Sequence, residues 1–218
     1  MRSIRSLARS LLKPKTTYDP LVYWNRRKNP NSASPALTQA HIDYVRKHVA
    51  GCRRILDFGP GVGRIIPAYR DLESIEGYDI SSAYEDRLLQ AASEHSIDFN
   101  LRIERNMERL PYEDARFDAS VSVSVLLHQT PNHITGVMRE LARVADKVII
   151  VSHFDAESDF DRISGVRHKG QQYCFNYDYY EICRSNGWRV LNGHVDPANH
   201  QIYFVYAGTA AVNERQRP

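Results

Sequence analysis

Apolar residues recur along the chain with two different periods, and segments of the two kinds alternate. Short, nearly continuous apolar runs predict strands over 54–58, 74–80, 99–104, 117–123, 147–152, 188–195 and 201–207. Helical spacing predicts helices over 36–49, 84–93, 134–144 and 177–185, and the start of a helix over 64–70. Strands that alternate with helices favour an α/β fold with a mainly parallel sheet. A few turn-forming residues separate the last two strands, which predicts an antiparallel hairpin at the sheet edge.

The first part of the chain has a different pattern. Apolar residues between Ile4 and Leu12 recur at helical spacing with arginines among them, which indicates a short basic amphipathic segment ending before Pro14. Three interpretations stay open: a surface or lid helix, an arm that contacts a partner or a membrane surface, and an organellar targeting peptide. The turn-rich residues 29–35 indicate a linker.

Composition narrows the class of protein. The 218 residues are 42% hydrophobic and 25% charged, which is typical of a globular domain and excludes collagen-like and disulfide-scaffold chains. No apolar run approaches the roughly 20 residues that a membrane span needs. The net charge of +3 is uneven, because residues 1–28 carry +7 and the remainder carries −4. A mildly acidic body is a poor match for a broad phosphate-binding surface. Three scattered cysteines indicate reduced thiols, a cytoplasmic location and no cysteine-based metal site.

A glycine turn follows the first predicted strand. Residues 57–63 read Asp-Phe-Gly-Pro-Gly-Val-Gly, and glycines let a ligand approach the backbone closely. The next strand ends in Asp79, whose carboxylate can accept both hydroxyls of a ribose. The spacing is GxGxG rather than the GxGxxG of dinucleotide sites, and no Walker lysine follows the turn. The pattern therefore predicts a site for a cofactor that contains adenosine and argues against a nucleoside triphosphate.

From about Arg54 to Val151 the sequence resembles the class I S-adenosylmethionine-dependent methyltransferases, particularly small enzymes that act on metabolites. The resemblance implies a Rossmann-like, doubly wound and mainly parallel seven-stranded sheet with an antiparallel C-terminal hairpin. It also implies S-adenosylmethionine as the cofactor. The residues that match the family's first motif, and would hold the methionine half of the cofactor, are Asp57, Gly59, Pro60, Gly61 and Gly63.

Further matches extend the implied cofactor site. Asp79 stands where the family binds the ribose, and Ile80 would pack on the adenine. Asn106 replaces the aspartate that usually contacts the adenine amino group; its amide oxygen can still accept that hydrogen bond. Met107 would contact the adenine edge through its backbone, and Val123 lies at the strand end that faces the transferred methyl group.

Ahead of the domain, Tyr23, Trp24 and Arg26 resemble an arm that folds over the cofactor in many family members. The alternative is that the two aromatic residues only anchor the arm to the body of the protein. Both interpretations stay open from the sequence.

Methyl transfer to oxygen or neutral nitrogen also needs a proton removed, and histidine suits this task at neutral pH. His128, just past the fourth strand, is the candidate general base; its alternative is a structural histidine that caps the next turn. The long segment of about 153–176 is predicted to shape the acceptor pocket, with His153 and Tyr173 lining it beside His128. A surface excursion without that role is the alternative.

These observations predict a basic arm, lid and linker over 1–35, a methyltransferase domain over 36–207, and a loose tail over 208–218. The expected activity is methyl transfer to an oxygen or nitrogen of a small molecule. RNA or protein methylation and a non-catalytic cofactor-binding partner subunit are the alternatives. No metal site is expected, and the sequence does not fix the oligomeric state.

Overall fold

The computed structural model describes residues 19–27, 33–153, 166–167 and 174–208. Two helices precede the sheet: α1 (Pro20–Arg26) and α2 (Pro35–Val49). Each begins with a proline after a capping side chain, because proline needs no hydrogen-bond acceptor in the first turn. Asp19 accepts hydrogen bonds from the backbone N–H groups of Leu21 and Val22, and the Ser34 hydroxyl accepts one from Leu37.

A seven-stranded sheet forms the centre of the molecule. Its five parallel strands are β1 (Arg54–Phe58), β2 (Ser74–Asp79), β3 (Phe99–Ile103), β4 (Ala119–Val123) and β5 (Lys147–His153). The other helices are α3 (Glu85–Glu94), α4 (Ile134–Val144) and α5 (Tyr179–Ser185). A separate ladder joins β6 (Val166–Arg167) to β7 (Phe175–Asn176), and the chain returns to the main sheet through β8 (Val190–Asp196) and β9 (Gln201–Ala207).

The strand order is β3-β2-β1-β4-β5-β9-β8, with β9 antiparallel to both of its neighbours. The order reverses between β1 and β4, because the chain fills one side of β1 before it crosses to the other. In open α/β sheets the crevice at such a switch point, outside the carboxyl ends of the strands, is where ligands bind. The topology therefore predicts a ligand site at the carboxyl ends of β1, β2 and β4.

Two apolar clusters cover the two faces of the sheet. Along β1, Ile55 belongs to one cluster and Leu56 to the other, as the alternation of side chains in a strand requires. Val45 of α2 packs on the first face and Leu141 of α4 on the second, and all four side chains are fully buried. Both faces of the parallel strands are thus covered, which explains their nearly continuous apolar sequences.

The predicted fold class is confirmed, with differences at the ends of elements. The predicted helix start at 64–70 is wrong in type, because only a single 3-10 turn forms at Ile66–Tyr69 before the chain enters β2. Asp178 caps α5, so that helix begins at Tyr179 and not at 177. The strand predicted to begin at 117 begins at 119, and Phe117 makes a single bridge to Ala145.

The part of the chain that the structure describes also contains elements that were not predicted, namely α1 and the β6–β7 ladder. The amphipathic segment of the arm, most of the predicted acceptor loop with Tyr173, and residues 209–218 lie outside the described residues. None of the described helices is long and apolar enough to cross a membrane.

Candidate active site

A cavity of about 510 Å³ opens at the carboxyl ends of the parallel strands. Its volume falls within the roughly 300–1,000 Å³ typical of small-molecule sites. Ten residues predicted for the site line it: Trp24, Gly59, Pro60, Gly61, Asp79, Ile80, Met107, Val123, His128 and His153. The structure therefore brings together residues from α1, from the ends of β2, β4 and β5, and from loops that are far apart in the sequence.

The glycine turn forms one wall because side chains are excluded from it. Gly59 has φ 75°, and a Cβ atom there would lie 2.4 Å from Cγ2 of Val125. Gly61 has φ 54°, and a Cβ atom there would meet nothing within 4 Å. The first glycine is thus required by packing against the β4 end. The second leaves backbone open toward the cavity, where a ligand can approach it.

Asp79 ends β2 on the cavity wall beside this turn. Its carboxylate accepts hydrogen bonds from the backbone N–H of Ser81 at 3.0 Å and of Gly61 at 3.3 Å. Burial raises the pKa of Asp79, and these backbone donors act against the rise. A half-buried carboxylate held by backbone donors at the end of the second strand can accept further hydrogen bonds from ligand hydroxyls.

Asp57 lies beneath the turn and does not line the cavity. Its side chain is almost fully buried, with 4% of its surface exposed. Burial raises the pKa of Asp57 to about 7; Asp79 adds to the rise, whereas Tyr69 and Arg64 oppose it. The carboxyl group is therefore close to its titration midpoint at neutral pH.

Helix α1 is attached over the cavity by hydrogen bonds to the segment that follows β2. The Tyr84 hydroxyl lies 2.8 Å from the carbonyl oxygen of Trp24 and 2.6 Å from that of Arg27, and it can donate to one of them at a time. The Ser81 hydroxyl donates to Oδ1 of Asn25 at 2.6 Å. These contacts hold Trp24 on the cavity wall and give the helix the position of a cover.

His128 ends a 3-10 turn, Leu126–His128, directly after β4. It is buried, with 9% of its surface exposed, and its ring makes an edge contact with Trp24 at a centroid distance of 4.8 Å. The Sγ atom of Cys174 lies 3.7 Å from its Nδ1. The turn and these two neighbours fix the imidazole on the cavity wall, where a general base would stand.

The opposite end of the cavity is lined by polar residues that the sequence analysis did not single out. They come from α2, the turn after Gly63, the end of β4, the β8–β9 turn and the start of β9: His41, Arg64, Ser124, Asn199, His200 and Gln201. Two signals pointed to them. His41 is a polar residue in the apolar stripe of α2, and Gln201 opens a strand that is otherwise apolar.

Some predicted residues stand outside this cavity. Tyr23 and Arg26 of α1 do not line it; the Tyr23 hydroxyl instead accepts a hydrogen bond from Arg27. Gly63 faces Leu88 and Ala91, so it serves helix packing. The predicted lining residue Tyr173 is outside the described residues.

Asn106 lines an adjoining cavity of about 390 Å³ together with Met107 and Ile80. Its Oδ1 accepts hydrogen bonds from the backbone N–H groups of Glu108 and Arg109, at 3.2 and 3.0 Å. Both acceptor positions of that oxygen are therefore used within the loop. The contact of Asn106 with an adenine stays a prediction.

Comparison with known proteins bears on this geometry. Residues 55–147 match the family model described as a methyltransferase domain. No curated protein matches the sequence. Among solved structures, the [4+2]-cyclase SpnF is 18% identical with a TM-score of 0.67, over 83% of this chain and 85% of that one.

Two other solved structures are methyltransferases by name. Magnesium protoporphyrin IX methyltransferase (ChlM) from Synechocystis PCC 6803, with bound S-adenosylhomocysteine, is 15% identical with a TM-score of 0.61, over 85% of this chain and 93% of that one. The CcbJ methyltransferase from Streptomyces caelestis is 14% identical with a TM-score of 0.65, over 88% and 99%. At these identities the likeness shows the fold.

The family match and the fold agree. Residues 55–147 match a methyltransferase domain, and they form part of a Rossmann-like sheet whose fold the solved neighbours share. The resemblance to class I S-adenosylmethionine-dependent methyltransferases is confirmed, and with it S-adenosylmethionine as the cofactor of the class.

Proposed function

We propose that this protein transfers a methyl group from S-adenosylmethionine to an oxygen or nitrogen of a small molecule. One observation carries the proposal: a single covered cavity joins the glycine turn and Asp79 to His128 and to a polar end that no cofactor motif accounts for. Fold alone does not fix chemistry, as the cyclase among the neighbours illustrates. The side chains that line the cavity therefore have to specify the reaction.

The residues present fit the cofactor. Open backbone at Gly61 and the carboxylate of Asp79 stand side by side, the first suited to close approach and the second to ribose hydroxyls. Ile80 and Met107 supply apolar surface next to Asp79, suited to an adenine ring. These groups would hold S-adenosylmethionine, which supplies an electrophilic methyl group when bound.

The protein's own contribution is alignment, exclusion of water and proton removal. Helix α1 holds Trp24 on the cavity wall, where it would shield a bound ligand from solvent. His128 stands at the end of β4 as the general base for an acceptor hydroxyl or amine, and the contact with Cys174 fixes its ring. His153, at the end of β5, lines the same cavity and would contact the acceptor.

The size of the cavity and the mildly acidic body favour a small acceptor over RNA or a protein chain. We extend the proposal to a cytoplasmic location. Cys52, Cys174 and Cys183 are all free and buried, which suits a reducing compartment.

The test uses the full chain and S-adenosylmethionine labelled with tritium in the methyl group. One cell extract is divided into small molecules, RNA and protein, and each fraction is incubated with the enzyme. Label in the small-molecule fraction supports the proposal. Label only in RNA or protein favours the macromolecular alternative, and cofactor binding without label in any fraction favours a non-catalytic partner subunit.

His128→Gln distinguishes a role of His128 in proton removal from a role in cofactor binding. We expect the variant to bind S-adenosylhomocysteine like the wild type and to transfer label about 10²-fold or more slowly, within the usual contribution of a general base. Undiminished transfer would remove His128 from the chemistry.

A further inference from the structure

Arg64 is a cation on the cavity wall whose hydrogen-bond partners are neutral. The half-buried guanidinium lies with Nη1 2.7 Å from Nδ1 of His41, and with Nη2 donating to the Ser124 hydroxyl at 2.9 Å. Among the described residues, no carboxylate lies within 4.0 Å of it as an ion-pair partner. An arginine that is removed from solvent in this way is expected to have an anion beside it.

The two hydrogen-bond partners orient the guanidinium but do not neutralise its positive charge. Burial lowers the pKa of His41 to about 4, and Arg64 adds to that effect, so the imidazole is uncharged near neutral pH and its Nδ1 accepts the hydrogen bond. Ser124 has φ 61°, a left-handed conformation that a non-glycine residue rarely adopts. Its backbone N–H donates to the carbonyl oxygen of Val151 at 2.8 Å, which holds the hydroxyl under Arg64.

Among the described residues that line the cavity, Arg27 and Arg64 carry a positive charge and Asp79 carries a negative charge. Asp57 lies below the wall and burial raises its pKa to about 7, so near neutral pH it offsets the charge of Arg64 only in part. A ligand that fills this cavity gains from carrying a negative group at the Arg64 end.

The position of Arg64 separates it from the ribose end. Asp79 ends β2, whereas Ser124 follows β4, and β1 lies between these two strands in the sheet. On the far side of β4, His153 pairs with Gln201 across β5 and β9, and both line the cavity. Arg64 therefore belongs to the half of the cavity that extends away from Asp79.

We propose that Arg64 is the anion-binding residue of the acceptor site, oriented by His41 and Ser124, and that the methyl acceptor carries a carboxylate. This inference rests on the proposed function. A planar guanidinium with two nitrogen donors matches a carboxylate in two-point geometry. The methionine half of the cofactor contains a carboxylate too, so the experiment has to distinguish the two sources.

The experiment titrates the full chain, free and saturated with S-adenosylhomocysteine, with benzoate and with its neutral analogue benzamide. We expect benzoate to bind the saturated protein, and Arg64→Gln to weaken that binding at least tenfold. Benzamide binding and S-adenosylhomocysteine affinity should change less than twofold. Arg184→Gln, at an exposed arginine paired with Glu181 on α5, is the matched control and should change none of these affinities.

Ser124→Ala keeps the charge of Arg64 and removes one of the two side chains that orient it. This variant therefore tests the same site if Arg64→Gln does not fold. We expect about a threefold loss of benzoate affinity. The inference would be overturned if the wild type did not bind benzoate, or if benzoate bound unchanged to the Arg64 or Ser124 variant. It would also be overturned if S-adenosylhomocysteine displaced benzoate and Arg64→Gln lost tenfold in cofactor affinity, because Arg64 would then bind the carboxylate of the cofactor. Failure of the wild type to bind S-adenosylhomocysteine would instead reject the proposed function.

Discussion

The two ends of the cavity differ in which atoms line them, mainly backbone at one end and side chains at the other. At the β1–β2 end the wall is backbone: the glycine turn at 59–61 and one carboxylate, Asp79, which backbone N–H groups hold in place. At the β4–β9 end the wall is side chain: Arg64 lies against His41 from α2 and Ser124 from the β4 end.

This difference suits the two ligands of the cavity, a constant cofactor and a variable acceptor. A backbone wall keeps its shape when most side chains around it change, so it suits a ligand that stays the same. A side-chain wall can be changed one residue at a time without disturbing the turn. The protein can therefore keep one cofactor site while the opposite end determines which acceptor is bound.

The largest expected effect concerns the backbone end. Gly59→Ala places a Cβ atom against Val125 and forces alanine into a left-handed conformation. We expect a loss of about 4 kcal/mol in the free energy of unfolding, from overpacking and backbone strain together. Chemical denaturation measures it.

Gly51→Ala is the matched control for Gly59→Ala. Gly51 has a similar φ of 79°, but a Cβ atom there meets nothing within 4 Å. Only the strain of about 1–2 kcal/mol should remain. Equal losses in the two variants would show that the contact with Val125 does not hold the turn.

A smaller effect is expected at Asp57, which lies between the two ends and responds to both Asp79 and Arg64. Its pKa in the folded state is raised to about 7, so its ionisation destabilises the fold at high pH. This cost disappears as the pH falls from about 7 toward 4. As the pH is raised from 5 to 8, Asp57→Asn should therefore gain about 3 kcal/mol of stability relative to the wild type. A pH-independent difference between the two proteins would reject the buried, titrating carboxyl.

The smallest effect tests the side-chain end. The pKa of His41 is lowered from 6.5 to about 4 in the folded state, so the unfolded chain takes up a proton first as the pH falls. Wild-type stability is lost through this group between about pH 6.5 and 4. Between pH 7 and pH 5 the wild type should lose about 2 kcal/mol more than His41→Gln. Parallel stability curves would contradict a neutral His41 beside Arg64.

The same contrast explains what could be predicted from the sequence. The backbone end is nearly contiguous in the sequence, since residues 59–63 form the turn after β1 and Asp79 ends the next strand. Its geometry therefore follows from local pattern and strand order. The sheet was predicted for a similar reason: its strands are apolar runs between recognisable turns.

The side-chain end depends on contacts between residues that are distant in the sequence. His41 and Ser124 are 23 and 60 positions away from Arg64, and only the folded sheet brings them together. Local patterns also missed α1, whose start depends on the Asp19 cap and whose attachment depends on Tyr84. Asn106 was predicted from its position, but the hydrogen bonds within its own loop could not be read from the sequence.

The most direct test of the account is calorimetric titration of the full chain and of Asp79→Asn with S-adenosylhomocysteine. We expect the wild type to bind S-adenosylhomocysteine with a Kd on the order of micromolar. Loss of a charged acceptor for the ribose hydroxyls should weaken binding about tenfold in the variant. No binding by the folded wild type, or equal affinity in the two proteins, would contradict the assignment of the β1–β2 end to the cofactor.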